Sequence, residues 1–196
     1  MGGLRKALRA LVACALLAAA CDATANARTP HFVGPTLQHP SPAPNFALAD
    51  QSGRRVELAS LRGKVVLLTF LYTHCPDLCP ITAANLNTAL QRLGAQRAHV
   101  RVLAVSVDPA GDTRASVRHF VREHRLVPEF RYLTGTRAAL ARIWRTYHVT
   151  PVTRGGKDPD HTLYTLLIDR SGTARVLFDA TAQPQAVVHD VRQLLG

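Results

Sequence analysis

The sequence is poor in several features that define other classes of protein. Its longest apolar run falls short of the roughly 18–20 residues that a membrane-spanning helix needs, which excludes a polytopic membrane protein. Charged residues make up only 19% of the chain and apolar residues 47%, which excludes a disordered tail, a collagen-like fibre and a coiled coil. Met1 is the only methionine, so the mature chain has no thioether to offer a metal. The 196 residues are enough for one domain with a buried core.

Acidic residues are also scarce. The chain has 13 Asp and Glu against 24 Lys and Arg, a formal charge of +11. Arg5, Lys6 and Arg9 precede the first acidic residue, Asp22, and without them 21 basic residues still face 13 acidic ones, a charge of +8. Such an excess can serve nucleic acid, anionic lipid or an acidic partner. No nucleic-acid recognition motif accompanies the charge and the N-terminus indicates export, so we expect no nucleic-acid partner.

Residues 1–21 have the pattern of a signal peptide, because a basic start is followed by a short apolar run. The stretch Leu17-Ala-Ala-Ala-Cys21 resembles a bacterial lipobox, which predicts a diacylated, membrane-anchored Cys21. Asp22 resembles a signal for retention at the inner membrane. Ala18 stands where Leu is more usual, so ordinary cleavage nearby is an alternative, and an uncleaved anchor helix is another. Each of these places the domain outside the cytoplasm, and we expect the periplasmic face of the inner membrane in a bacterial cell envelope.

Proline is frequent in the next segment, 22–44, which has five prolines and little apolar content. This composition predicts an extended and mobile tether. The folded domain is expected from about Asn45 to Gly196. Because the other two cysteines belong to the signal segment, only Cys75 and Cys79 remain in this domain. In an oxidising compartment a lone pair is either a structural disulfide or a working dithiol.

Strand and helix patterns alternate along the domain. The apolar runs 65–71 and 100–107 fit strands buried on both faces. Residues 46–56 predict a hairpin, and 162–168 with 174–178 predict a second strand pair. Helix starts are predicted at Pro80, Asp112-Thr113, Thr136 and Pro184. This order predicts an α/β fold of thioredoxin type, a sandwich with a central mixed sheet flanked by helices and an N-terminal β-hairpin.

The segment Tyr72-Thr-His-Cys75-Pro-Asp-Leu-Cys79-Pro80 follows the first buried strand, where open α/β sheets place their ligand sites. On a turn that runs into a helix, a spacing of four allows both sulfurs to lie on one face. The helix start favours thiolates, especially for Cys79. Two soft thiolates suit Cu(I), and with a nitrogen donor also Cu(II), whereas zinc usually needs a fourth ligand. A structural disulfide across so short a loop would gain little chain-entropy stabilisation.

Four sequence motifs follow one another in the domain. They are Arg62–Pro80, Val105-Ser-Val-Asp-Pro109 with Asp112-Thr113, Leu133-Thr-Gly135, and Asp160-His161 followed by Leu167-Ile-Asp169 and Gly172. In this order they resemble the Sco/SenC family of copper chaperones, over the chain from about residue 45 to the C-terminus. The resemblance implies a thioredoxin-like fold and copper, Cu(I) or Cu(II), held by Cys75, Cys79 and the distant His161. It also implies a role in assembling the dinuclear copper site of cytochrome c oxidase.

The loop before His161 suits a carrier of copper. The resemblance implies that this loop faces the dithiol, and its stretch Arg154-Gly-Gly-Lys-Asp-Pro159 has two glycines that should leave it mobile. The imidazole is then able to swing on and off the metal, and we expect a three-coordinate Cys2His site. The expected partners are the copper-site subunit of the oxidase and a thioredoxin-like reductant, with the chain itself a monomer.

A second hypothesis makes the chain a thiol–disulfide oxidoreductase that reduces the cysteines of the oxidase copper site. Cys75 and Cys79 are then catalytic, because one attacks through a mixed disulfide and the other resolves it. His161 discriminates between the hypotheses, since dithiol chemistry does not require it. A peroxidase of peroxiredoxin type is disfavoured because Leu68 occupies the place of the proline it would need. A copper or redox sensor stays open, but we expect a metallochaperone rather than an enzyme.

Other polar residues have ordinary explanations beside functional ones. His148 begins the loop of His161 and is able to approach the site. Asp77 either tunes the thiolates, contacts a partner or simply belongs to the turn. Asp108 and Asp112 are expected to fix the loop after the second buried strand. Three arginines form a stripe on one predicted helix: Arg114, Arg118 and Arg122. The stripe is predicted to be a solvated helix face, and docking on an acidic partner or on anionic headgroups is the alternative.

Overall fold

A seven-stranded mixed sheet forms the centre of the fold. In this computed structural model, which describes residues 29–152 and 163–196, the strands are β1 (Ala47–Asp50), β2 (Arg55–Glu57), β3 (Val65–Leu71), β4 (Val100–Ser106), β5 (Phe130–Thr134), β6 (Tyr164–Ile168) and β7 (Ala174–Asp179). Their order is β2-β1-β5-β4-β3-β6-β7. Strands β3, β4 and β5 run parallel, and the other neighbouring pairs are antiparallel. The predicted mixed sheet with an N-terminal hairpin is confirmed.

In the part of the chain that the structure describes, four α-helices cover this sheet: α1 (Leu78–Arg92), α2 (Arg114–Glu123), α3 (Arg137–Thr146) and α4 (Pro184–Leu195). Thr113 and Thr136 cap α2 and α3, because each side-chain oxygen accepts the backbone N–H three residues later. Those two starts were predicted, as was Pro184. Helix α1 begins two residues earlier than predicted, so Cys79 lies within its first turn. Over the described residues, no helix is both long and apolar enough to cross a membrane.

Helices α2 and α3 lie on opposite faces of the sheet. The ring of Phe70 in β3 contacts Tyr147 at the end of α3, and Phe120 in α2 contacts Tyr132 in β5. The strand register puts Phe70 and Tyr132 on opposite faces, because side chains alternate along a strand. The Asn87 side chain of α1 bonds to the backbone just after α2, so α1 and α2 share a face. Right-handed crossovers from β3 to β4 to β5 require the same arrangement.

The core lies around the middle strands. All seven residues of β3 are buried, as are six of the seven in β4, which confirms the prediction of strands covered on both faces. Strand β5 was not predicted, because the polar Arg131 near its centre interrupts the short apolar pattern of this five-residue strand. The buried apolar side chains of the described residues lie between Ala43 and Val191.

The second half of the predicted tether packs on the domain. Backbone hydrogen bonds join it to the outer edge of the sheet at Leu37 with Arg175, Leu177 with Pro35, and Ala43 with Gly172. Upstream of these, the N–H groups of Val33 and Gly34 donate to the carboxylate of the buried Asp190, at 2.8 and 2.9 Å. The packed chain thus begins ahead of the predicted boundary at Asn45, because β7 has an open edge that needs covering. The predicted signal peptide and the cysteine of its lipobox lie outside the described residues.

Candidate metal centre

The two domain cysteines meet where β3 ends and α1 begins. Three residues separate the end of β3 from Cys75, and Cys79 is the second residue of α1. The backbone N–H of Cys79 donates to Cys75 Sγ at 3.3 Å, and the N–H of Cys75 donates to the carbonyl of Tyr72. The pair therefore lies at the carboxyl end of the central strand, where the sequence predicts the site.

The two sulfurs have unequal surroundings. Cys79 is fully buried, whereas Cys75 is half-buried. The hydrogen bond between the Cys79 side chain and Cys75, together with burial, raises the pKa of the Cys79 thiol. The N–H at the start of α1 points to Cys75 Sγ and stabilises negative charge there. The expectation that the helix start favours a thiolate especially at Cys79 is therefore wrong, because this N–H belongs to Cys79 and points to the sulfur of the preceding turn.

A buried carboxylate lies beneath the cysteine loop. Asp112 accepts three hydrogen bonds: from Thr73 N–H at 2.7 Å, Ser106 Oγ at 2.5 Å and Tyr132 Oη at 3.0 Å. Burial raises the pKa of the Asp112 carboxyl, although these donors oppose the shift. Because Thr73 lies two residues before Cys75, Asp112 joins the loop after β4 to the cysteine loop. The sequence predicts a loop-fixing role for Asp112, and the nearby Ser106 agrees with it, but Thr73 and Tyr132 donate from other parts of the chain.

The start of β6 lies beside the end of β3. Thr69 pairs with Thr165 in the antiparallel register, and Thr69 Oγ1 donates to the carbonyl of Tyr164 at 2.9 Å. Tyr164 Oη donates in turn to the carbonyl of Tyr147 at 2.6 Å. The chain entering β6 therefore comes from the cysteine end of the sheet. The loop 154–159 and His161, the expected third ligand, lie outside the described residues.

No third donor joins the cysteines within residues 29–152 and 163–196, where no group of three His, Cys, Asp or Glu side chains is close enough to hold a metal ion. His148 is exposed, and its positive φ of 55° ends α3. His74 is exposed as well, with Nδ1 3.1 Å from Thr73 Oγ1. Asp77 takes the N-cap position of α1, but its side chain makes no capping hydrogen bond.

Two exposed apolar side chains flank Cys79. Leu78 is 43% exposed and Ile81 48%, although both belong to the first turn of α1. Their spacing of three places them on one helix face. This exposed pair was not predicted, because apolar residues at helical spacing usually point to the core. These two side chains form a small apolar surface beside the dithiol.

Comparisons with known proteins agree with one another. The SCO1/SenC family model matches residues 35–196. The mitochondrial SCO2 homolog of Bos taurus is 31% identical over 157 residues, and the alignment covers 76% of this chain but only 58% of that protein. The chain thus spans little more than half the length of this relative.

Solved structures show the same likeness. The copper-bound ScoI of Bradyrhizobium japonicum is 30% identical, with a TM-score of 0.68 over 79% of this chain and 99% of that one. BsSco, a member of the Sco family of cytochrome c oxidase assembly proteins, also has a TM-score of 0.68, at 23% identity, over 82% of this chain and 97% of its own. At that identity the second likeness is one of fold.

Proposed function

Since the chain belongs to the SCO1/SenC family and has its thioredoxin-like fold, we propose that it is a copper metallochaperone. It binds copper through Cys75, Cys79 and His161 and delivers it to the dinuclear copper site of cytochrome c oxidase. The observation that carries this proposal is the contact of the two cysteines, in which Cys79 N–H lies 3.3 Å from Cys75 Sγ. Two sulfur donors at the open end of a sheet form a soft site, which suits copper better than a hard cation.

The strand register supports His161 as the third donor. Thr165 pairs with Thr69, so the residues that precede β6 come from the end of the sheet that bears Cys75. His161 is three residues before the start of β6, a distance of about 10 Å of extended chain. An imidazole at that point of the sequence is within reach of the loop between Leu71 and Cys75. A nitrogen donor beside two thiolates also allows Cu(II) to bind.

Loading and release follow from the unequal sulfurs. The N–H at the start of α1 stabilises negative charge on Cys75, which is the more accessible donor for an arriving ion. The buried Cys79 thiol must lose its proton to become a ligand, so copper binding releases protons. Leu78 and Ile81 offer the recipient an apolar contact beside the metal. Thiolates of the recipient then replace the ligands one at a time, and a His161 on a separate loop is free to leave first.

The test is a copper titration of the reduced chain, followed by absorption and EPR spectroscopy. We expect the chain to bind one equivalent of Cu(II) and to show a thiolate-to-copper absorption band. The band is lost in Cys75→Ser, and both the band and the affinity for Cu(II) are weaker in His161→Ala. His148→Ala is the matched control, because this histidine is exposed and lies near the same loop in sequence. A His161→Ala chain that holds Cu(II) as tightly as the unaltered one would refute the ligand set.

The unequal cysteines also support a second function, reduction of the disulfide of the oxidase copper site. Cys75 as a thiolate attacks one sulfur of that disulfide and forms a mixed disulfide, while the departing thiolate takes up a proton. Cys79 then loses its proton and attacks Cys75, which releases the second thiol and leaves the chain oxidised by two electrons. A thioredoxin-like reductant restores the dithiol. His161→Ala keeps this activity if reduction is the function, whereas copper delivery fails in the same variant.

The cellular site belongs to the same proposal. We place the domain on the periplasmic face of the inner membrane, as a monomer held by a lipid on Cys21. Mass spectrometry of the mature N-terminus tests this, because a diacylated cysteine has a characteristic added mass that Cys21→Ser abolishes. If the mature chain begins at another residue and has no lipid, ordinary signal-peptide cleavage replaces lipid anchoring as the interpretation.

A further inference from the structure

A cluster of basic side chains lies at the end of the sheet opposite the cysteines. Lys64 immediately precedes β3, Arg92 ends α1, Arg170 follows β6 and Arg192 lies in the last turn of α4. We call these four residues the basic pole. Strand β3 and helix α1 each extend about 20 Å, and the cysteines lie at their other ends. The basic pole is therefore on the order of 20 Å from the dithiol.

Contacts join the four residues into one surface. The Arg192 side chain donates to the carbonyl of Arg92 at 3.4 Å, and both arginines line a groove between α1 and α4. A second groove at the end of α4 is lined by Leu195, His99 and Arg170. Arg170 Nε donates to the carbonyl of Gly63, the neighbour of Lys64, at 3.3 Å. Three of the four side chains are exposed, and that of Lys64 is half-buried.

The positive charge of this pole is not neutralised by the domain. Within the described ranges, no ion pair includes a member of the basic pole. The acidic residues at the same end have other partners, since Glu129 pairs with Arg97, Asp169 with Arg175, and Asp190 with His189 and two backbone N–H groups. Uncompensated charges on one face produce a field that attracts an extended anionic surface.

The N-terminal segment enters the domain at this pole. His31 N–H donates to Gln193, the neighbour of Arg192, at 3.3 Å, and the next residues bond to Asp190 in the same helix. The predicted anchor at Cys21 is ten residues before His31, and ten residues of chain span at most about 35 Å. A lipid at that position would keep the domain close to the bilayer. The basic pole, where the N-terminal segment enters, would then be the part of the domain nearest to the membrane. An acidic protein partner has no comparable link to this end of the molecule.

We propose that the basic pole docks on the anionic headgroups of the membrane surface. Docking there turns the dithiol away from the bilayer, so that Cys75 faces a partner that approaches from the aqueous side. The lipid anchor holds the chain at the membrane, and the four cations add an attraction that selects which end of the domain faces the headgroups. The inference rests on the anchor proposed at Cys21, needs no copper and goes beyond the copper function proposed above.

The test is sedimentation of the chain from residue 22 onward, without its lipid, with vesicles of phosphatidylglycerol mixed with phosphatidylcholine and, in parallel, with vesicles of phosphatidylcholine alone. Each basic residue near an anionic surface strengthens binding about fivefold, so Arg92→Gln with Arg192→Gln weakens it about twenty-five-fold. The matched control is Arg114→Gln with Arg118→Gln, which removes the same charge from exposed positions at the dithiol end of α2. This control pair should change binding less than about twofold. Arg170→Gln is a third variant for the case that the first pair does not fold.

Binding that depends on phosphatidylglycerol, weakens in salt and is lost with the first pair supports the proposal. Equal losses in the two pairs overturn it, because binding then follows net charge alone. Absence of binding to either vesicle overturns it as well. Capture of polyglutamate with the same dependence on Arg92 and Arg192, but no capture by vesicles, assigns the surface to an acidic protein instead. Since copper is absent throughout, failure here leaves the proposed copper function untouched.

Discussion

Removal of the Asp112 carboxylate is the sharpest test of how the site is held together. Asp112→Ala leaves Thr73 N–H, Ser106 Oγ and Tyr132 Oη without their acceptor, and the side chains of Ser106 and Tyr132 are fully buried. An unsatisfied buried donor costs about 1–3 kcal/mol, and part of that cost is relieved when hydroxyls turn to other acceptors. We expect a loss of about 3–5 kcal/mol in the free energy of unfolding. For a domain of this size the melting temperature then falls by roughly 6–20 °C.

Asp112→Asn is the matched control for this prediction. Its side-chain oxygen still accepts Thr73 N–H, and its amide donates to the hydroxyl oxygens, so we expect a change within about 1 kcal/mol. Urea unfolding of the two variants measures the difference. A loss below about 1 kcal/mol in Asp112→Ala, or equal losses in both variants, would show that the network does not hold the loop.

The same residue predicts a dependence on pH. Burial raises the pKa of the folded Asp112 carboxyl above its unfolded value of 3.8, so the folded state binds the proton more tightly. The stability that this carboxyl contributes is fully present below pH 3.8 and is lost as the pH rises through the folded pKa. The Asn variant does not lose this stability, so its free energy of unfolding rises relative to that of the unaltered chain as the pH increases from 3.8 through the folded pKa. Urea titrations over this pH range decide the point, and parallel curves for the two chains would contradict it.

Three further predictions concern other parts of the fold. Asp190→Ala removes the charged acceptor of two backbone N–H groups in the N-terminal segment, which we expect to cost about 2–4 kcal/mol and to speed amide exchange at those two positions. Unchanged exchange would argue that Asp190 does not hold this segment. Thr136→Ala deletes the cap of α3 and should cost about 1 kcal/mol in urea unfolding, with Thr146→Ala, which is also exposed, as the comparison. Leu86→Ala should lower the free energy of unfolding by about 2–5 kcal/mol, because Leu86 is only 2% exposed. Ile81→Ser should change it by less than about 0.5 kcal/mol, because Ile81 is exposed, but should weaken contact with a partner. Similar losses in those two variants would mean that Ile81 belongs to the core.

Local patterns were enough for much of the fold. The apolar runs of β3 and β4 predict buried strands because a strand covered on both faces needs apolar side chains at every position. Thr113, Thr136 and Pro184 mark helix starts through interactions that reach only three or four residues along the chain. The placing of the two cysteines after β3 also follows from local order, and the family resemblance rests on motifs in the same segments.

Other features depend on which distant segments meet. Strand β5 has a polar residue near its centre, and only its pairing with β4 and β1 makes it a strand. The segment 35–43 has the composition of a tether, yet β7 offers it an unpaired edge. The unequal state of Cys75 and Cys79 depends on the direction of one N–H and on the depth of burial.

The amino-acid sequence alone determined the class of fold, the positions of most helix starts and the presence of a dithiol at the end of the central strand, because each depends on near neighbours in the chain. Tertiary structure decided how deeply each cysteine is buried, that Thr73 and Tyr132 donate to Asp112, and that four basic residues separated by up to 128 positions, Lys64 to Arg192, form one surface. Each of these outcomes requires distant segments of the chain to pack against one another. Such contacts leave no local pattern in the sequence, so they become visible only in the folded structure.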